Sequence, residues 1–255
     1  MPRSNPRLTA VCEQDNGALA QKQLSDQAWA YFAGGAGDEI TVRENRSARD
    51  TLRLLPRVMR PVGGGDTAIT LLGRTWPTPL LLAPVALQKL AHPQREEATA
   101  MAAAAQGTGV VLRAMSSVRL ETVAAQVRDE PSRGPLWFRI YLQPDRGATQ
   151  ALAAGAAGVI VSHRGGRTLD PAVATAAALP LLVDGRIRRG TDVLKALALG
   201  ADAVLLSRLQ AMAMALAAAA TRATSALRCW SVDQDLVANA ADEPGWAAWR
   251  AACAR

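Results

Sequence analysis

The chain has 255 residues, enough for one barrel-sized α/β domain with a sizeable buried core. Its formal net charge is +7, but only three lysines contribute, and the arginines are scattered with no dense run and no interleaved aromatics. That distribution argues against nucleic-acid binding and leaves small anions as the ligands a basic chain attracts.

The three cysteines, Cys12, Cys229 and Cys253, are odd in number and far apart, so neither a disulfide framework nor a metal-ligand spacing appears. The N-terminal stretch has no apolar signal core, and no run reaches the ~18 apolar residues of a spanning helix. The expectation is a cytoplasmic protein with no transmembrane segment and no metal site.

Residues 1–17 read as a flexible polar lead, and residues 18–255 as one domain. Leu19 to Phe32 has helical spacing, with Leu24, Ala28, Tyr31 and Phe32 recurring on one face. Gly34-Gly35-Ala36-Gly37 breaks it, and a second helix runs from Glu39 to Ala48. Residues 51–79 are rich in Pro and Gly, and Thr67 to Leu72 alternates like half a hairpin.

Strand-then-helix repeats follow. Leu80 to Pro84, Gly109 to Leu112, Leu136 to Leu142 and Val159 to Val161 read as strands. Arg95 to Gln106, Val118 to Val127, Ala148 to Ala154 and Pro171 to Ala178 read as the helices between them. Leu181 to Arg208 then forms a complete βαβ unit. Its strand ends at Asp184-Gly185, Gly190-Thr191-Asp192 opens a helix with groups that satisfy orphan N–H donors, and Gly200 closes it. Ala203 to Leu206 is the sixth strand, with Ser207-Arg208 at its end, and an Ala-rich helix from Leu209 to Leu227 leads into a polar tail. Alternation of this kind predicts a parallel α/β fold. Six core strands make it an incomplete TIM-type barrel with an N-terminal helical segment, since a closed barrel of this type has eight.

Several segments, in order along nearly the whole chain, resemble the FMN-dependent α-hydroxy-acid oxidase/dehydrogenase family. They are Tyr31-Phe32-Ala33-Gly34-Gly35-Ala36-Gly37-Asp38-Glu39, Ala83-Pro84-Val85-Ala86-Leu87-Gln88-Lys89, Trp137-Phe138-Arg139-Ile140-Tyr141, Ser162-His163-Arg164-Gly165-Gly166-Arg167 and the final βαβ unit. The resemblance implies FMN at the C-terminal rim of the barrel and oxidation of a small anionic 2-hydroxy acid to a 2-oxo acid. It places Tyr31, Tyr141 and Arg167 at the substrate carboxylate, where a guanidinium fork matches two oxygens. It places Pro84, Val85, Ala86, Asp184, Gly185, Arg188, Ser207 and Arg208 around FMN, with Asp184, Gly185, Arg188 and Arg208 near its ribityl-phosphate.

The departures from that family cluster where chemistry is expected. The family reads Ser-Asn-His-Gly-Gly-Arg, so Arg164 occupies the catalytic histidine position. A guanidinium stays protonated near neutral pH and cannot act as a general base. His163 is the neighbouring candidate, although one step along a strand turns a side chain to the other face. Val85 replaces a small hydroxyl residue, Arg113 a serine, Arg139 a glutamine and Arg186 a glycine. Two βα units that follow the Trp-Phe-x-x-Tyr strand in the family are absent, with a lysine and a substrate-binding arginine. The two sheet edges this exposes predict self-association or a protein partner. Two functions stay open: a degenerate member that binds an anion or a partner, or an active FMN-dependent oxidoreductase. On pattern alone Tyr31 and Tyr141 also fit a core or interface role, and His92 fits a structural hydrogen bond.

Overall fold

The computed structural model describes residues 13–55, 67–113, 116–131, 133–139, 160–161, 182–185, 187–208 and 210–212. Three helices come first: α1 (Glu13–Gln21), α2 (Asp26–Ala33) and α3 (Ile40–Thr51). The continuous helix expected over Leu19 to Phe32 is two helices, and α1 begins inside the stretch read as a flexible lead. The reason is local. Ser25 has extended backbone, and its hydroxyl accepts the Ala28 N–H at 3.3 Å, which starts a new helix at Asp26.

The expected half-hairpin is a full one. β1 (Ile69–Leu71) pairs antiparallel with β2 (Arg74–Trp76) across a turn whose Leu72 and Gly73 both have positive φ. The repeats follow as β3 (Leu80–Leu82), α4 (Arg95–Ala105), β4 (Gly109–Arg113), α5 (Leu120–Gln126), β5 (Leu136–Arg139), β6 (Ile160–Val161), β7 (Leu182–Asp184), α6 (Gly190–Ala198) and β8 (Ala203–Leu206). The expected helices over 148–154 and 171–178 lie outside the described residues, and of the helix expected from Leu209 to Leu227 residues 210–212 are described and helical.

β3 to β8 form one parallel six-stranded sheet in the order β5-β4-β3-β8-β7-β6. The first core strand, β3, is paired on both sides, to β4 and to the last strand, β8. With the sheet's helices α4, α5 and α6 all packed on the same face, this pairing is the closing seam of a barrel. Among the described residues, β5 and β6, neighbours in sequence, stand at the two ends of the sheet order. The described strands thus follow the ring order of a barrel, with β5 and β6 at its two ends.

Buried strands in a parallel sheet are apolar on both faces, and these are. Leu80, Leu82, Val110, Leu112, Val183, Val204 and Leu206 face the helices and pack on Ala100, Ala103 and Ala104 of α4, Val123 of α5, and Val193, Ala196 and Leu197 of α6. Leu81, Val111, Leu182, Ala203 and Leu205 face inward. Trp76 of the hairpin joins this inner cluster, and its ring meets Trp137 of β5 edge-on at 5.1 Å. Hairpin and tryptophans therefore plug the N-terminal end of the sheet. Ligands are left the C-terminal rim, where parallel α/β sheets bind them. Among the described residues no helix is long and apolar enough to cross a membrane.

Candidate active-site rim

The rim is built from the ends of β3, β4, β5, β7 and β8. After β3, Pro84 and Ala86 are buried and Val85 is half-buried. Val85 donates its N–H to the Ala83 carbonyl at 2.8 Å, and its own carbonyl accepts from Gln88 Nε2 at 3.2 Å. Gln88 is itself held by the Thr99 hydroxyl of α4, which donates to its Oε1 at 2.6 Å. This places Val85 against α2, in one apolar cluster with Ala28, Tyr31, Phe32, Ala211 and Met212.

Arg208 makes the connection across the seam. Its Nε donates to the Phe32 carbonyl at 3.1 Å and its Nη2 to the Gly34 carbonyl at 2.9 Å. These are carbonyls at the C-terminal end of α2, which a helix leaves without internal partners. A cation is favoured there by the helix dipole as well. Tyr31, Val85, Ser207 and Arg208 are thereby gathered at the ends of β3 and β8.

A second group surrounds the end of β7. Asp184 is buried, and Gly185 has φ 133°, a conformation open to glycine. The Gly185 carbonyl accepts from Nη2 of Arg49, a buried arginine on α3 whose Nη1 also donates to the Asn45 carbonyl at 2.8 Å. Lys195 of α6 donates to the Arg49 carbonyl at 2.7 Å. Asp192 in the first turn of α6 accepts the N–H groups of Arg188 at 3.1 Å and Arg189 at 3.2 Å through Oδ2. Arg46 of α3 lies 3.6 Å from the same oxygen. The carboxylate expected to satisfy the helix start does so, and it occupies two amides beside the half-buried Arg188.

Strand alternation fixes which rim residues face inward. Val111 and Trp137 belong to the inner cluster, so Arg113 and Arg139, two residues on, share that face. Asp184 shares it with Leu182. Arg113 and Arg139 are register partners at the ends of β4 and β5, and both are half-buried. Beside Arg113, a cleft of about 470 Å³ opens between the end of β4 and α5, with Phe138 on its wall.

Of the expected site residues, Tyr31, Pro84, Val85, Ala86, Asp184, Gly185, Arg188, Ser207 and Arg208 are brought to one rim. Tyr141, His163, Arg164 and Arg167, together with Arg186, lie outside the described residues. His92 makes a structural hydrogen bond: its Nδ1 accepts the Gln94 N–H at 3.0 Å, and burial lowers its pKa from 6.5. Arg49 was not readable as a site residue. It sits mid-helix in a polar stretch, and only the folding of α3 onto the end of β7 gives it a role. No group of three or more His, Cys, Asp or Glu side chains among the described residues could hold a metal ion.

Comparison with known proteins places this rim in context. The profile of the FMN-dependent dehydrogenase family matches residues 20–152 and 146–237, two pieces that meet in the connection between β5 and β6. An L-lactate oxidase of Alicycliphilus denitrificans is 35% identical over 313 aligned positions, covering 79% of this chain and 84% of the relative. Those 313 positions exceed the chain's 255 residues, so the relative carries internal residues that this chain lacks. A peroxisomal (S)-2-hydroxy-acid oxidase of Oryza sativa subsp. japonica is 33% identical, with 74% of this chain and 81% of the relative covered. The crystal structure of a mandelate oxidase superposes with a TM-score of 0.78 at 27% identity, covering 94% of this chain and 98% of that one.

FMN is the cofactor of that family, and the rim fits its two ends differently. Arg188 beside the start of α6 brings a guanidinium, which suits a phosphate, while the amides of Arg188 and Arg189 are taken by Asp192. The inner mouth does not suit the flavin ring. Two half-buried arginines, Arg113 and Arg139, stand side by side on the face that a flat, largely uncharged ring would cover.

Proposed function

The chain belongs to the FMN-dependent dehydrogenase family, and from that premise we propose that it is a degenerate member that has lost oxidation of 2-hydroxy acids. The observation that carries the reading is Arg164, which stands where the family's motif has its catalytic histidine. No change of surroundings turns a guanidinium into a proton acceptor near neutral pH. The paired arginines at the mouth and the missing strand–helix units support the same conclusion.

The retained role is binding of a small anion at the ends of β7 and β8. Asp184, Gly185, Arg188, Ser207 and Arg208 are the residues proposed for it, with Tyr31, Tyr141 and Arg167 as remnants of the carboxylate site. The edges of β5 and β6 are proposed to pair with a second copy or a partner protein. We further place the protein in the cytoplasm.

The test is the flavin spectrum of the purified chain. The degenerate reading expects little bound flavin and no bleaching by lactate, glycolate or mandelate. The similarity to an L-lactate oxidase and a peroxisomal (S)-2-hydroxy-acid oxidase motivates the second reading, an active FMN-dependent oxidoreductase. In that case His163 would have to serve as base, and His163→Ala would abolish turnover.

A further inference from the structure

We infer that Arg49 is a positioning residue for the anion site proposed at the ends of β7 and β8, acting through the connection that joins β7 to α6. This rests on the reading that the rim retains an anion. On α3, Val42, Asn45 and Arg49 are buried and recur at three- and four-residue spacing, so they share one face. Arg49 lies in the last turn, where the helix dipole favours a cation. Its Nη2 donates to the Gly185 carbonyl, one residue past Asp184, and its Nη1 returns to the Asn45 carbonyl at 2.8 Å. Gly185, with φ 133°, has wide backbone freedom, and a hydrogen bond to its carbonyl limits that freedom.

The same helix reaches the other end of that connection. Arg46 Nη1 lies 3.6 Å from Asp192 Oδ2, the oxygen that accepts the N–H groups of Arg188 and Arg189. Lys195 of α6 closes the frame by donating to the Arg49 carbonyl at 2.7 Å. One helix therefore fixes both ends of the segment that carries Arg188. Fastening alone does not account for the residue type. Desolvating a guanidinium is costly, and an apolar side chain packed in its place often holds a helix as well or better. What a planar fork adds is direction: it fixes where the Gly185 carbonyl, and with it the start of the connection, stands relative to α3.

Calorimetric titration of the full chain with inorganic phosphate tests this, each variant being held below its own melting temperature. The wild-type chain is expected to bind phosphate at one site. Arg49→Gln should weaken that binding roughly threefold to tenfold, and Arg49→Lys, which keeps a donor but loses the fork, should recover part of the loss. Val42→Ala, on the same face of α3, should lower the melting temperature and leave phosphate affinity unchanged, because it trims packing and leaves the Arg46 and Arg49 links in place. Circular dichroism melting reports whether each variant folds, and Arg49→Lys carries the test if Arg49→Gln does not. Wild-type affinity in every Arg49 variant that folds, or an equal loss in Val42→Ala and the Arg49 variants, overturns the role given to Arg49 and leaves the anion reading standing. No phosphate binding by the wild-type chain overturns the anion reading, and this role with it.

Discussion

Arg208 donates to the carbonyls of Phe32 and Gly34, so a residue on the ligand-binding rim also fastens α2 over that rim. Replacing it with alanine removes two charge-assisted hydrogen bonds and leaves two carbonyls at a helix end to find other partners. Arg208→Ala is expected to destabilise the fold by about 1–3 kcal/mol, measured by urea denaturation. A change within error of zero would mean that α2 is held by its apolar cluster alone. His92 makes a different prediction. Its lowered pKa arises from burial, and its Nδ1 already accepts the Gln94 N–H, so the folded state favours the neutral ring. The unfolded chain then binds the proton more tightly, and stability rises with pH across the window below 6.5 and levels off above it. In His92→Ala that part of the pH dependence should vanish. An NMR titration placing the imidazole above 6.5 would contradict the assignment.

At the scale of elements, the sheet is held by its central strands. Leu205 on β8 is fully buried between β3 and β7. Leu205→Ala should cost about 2–5 kcal/mol, while truncating Leu199, exposed after α6, should cost almost nothing. Gly134, just before β5, lies against the entry of the neighbouring strand β4. A Cβ there would stand 2.4 Å from the Thr108 carbonyl carbon and 2.5 Å from the Gly109 nitrogen, both backbone atoms. Gly134→Ala should therefore displace β5 from β4 and lower the melting temperature. An unchanged melt would show that the loop relaxes freely. Most strands and helices were legible, because apolar runs such as Leu80-Leu81-Leu82 and Ala203-Val204-Leu205-Leu206 leave one reading in an alternating chain. The split between α1 and α2 was not, since apolar spacing carries smoothly across Ser25 and only its side-chain cap marks the restart. The hairpin was half-visible, because Leu72 in a positive-φ turn position is not a residue that signals one.

At the scale of the whole molecule, the described strands form a barrel-type sheet joined at its first and last strands, with β5 and β6 at its two ends. The shortening was readable from the missing strand–helix units, and the order β5-β4-β3-β8-β7-β6 puts the strands that flank it at the two ends of the sheet. The site was readable only where motif residues end strands, as at Asp184 and Arg208. The anchoring of α3 through Arg49 depends on contacts between segments 136 residues apart, which no local pattern encodes. Strands that end a parallel sheet favour association, so light scattering at high concentration should report a dimer or larger species. A compact monomer would show that the edges are covered within one chain. The central claim is that the family fold persists without flavin chemistry, and visible absorbance after incubation with excess FMN and gel filtration tests it most directly. The account predicts a folded protein carrying far less than one flavin per chain and no bleaching on addition of L-lactate, glycolate or mandelate. A stoichiometric flavin spectrum that bleaches with any of the three would contradict it.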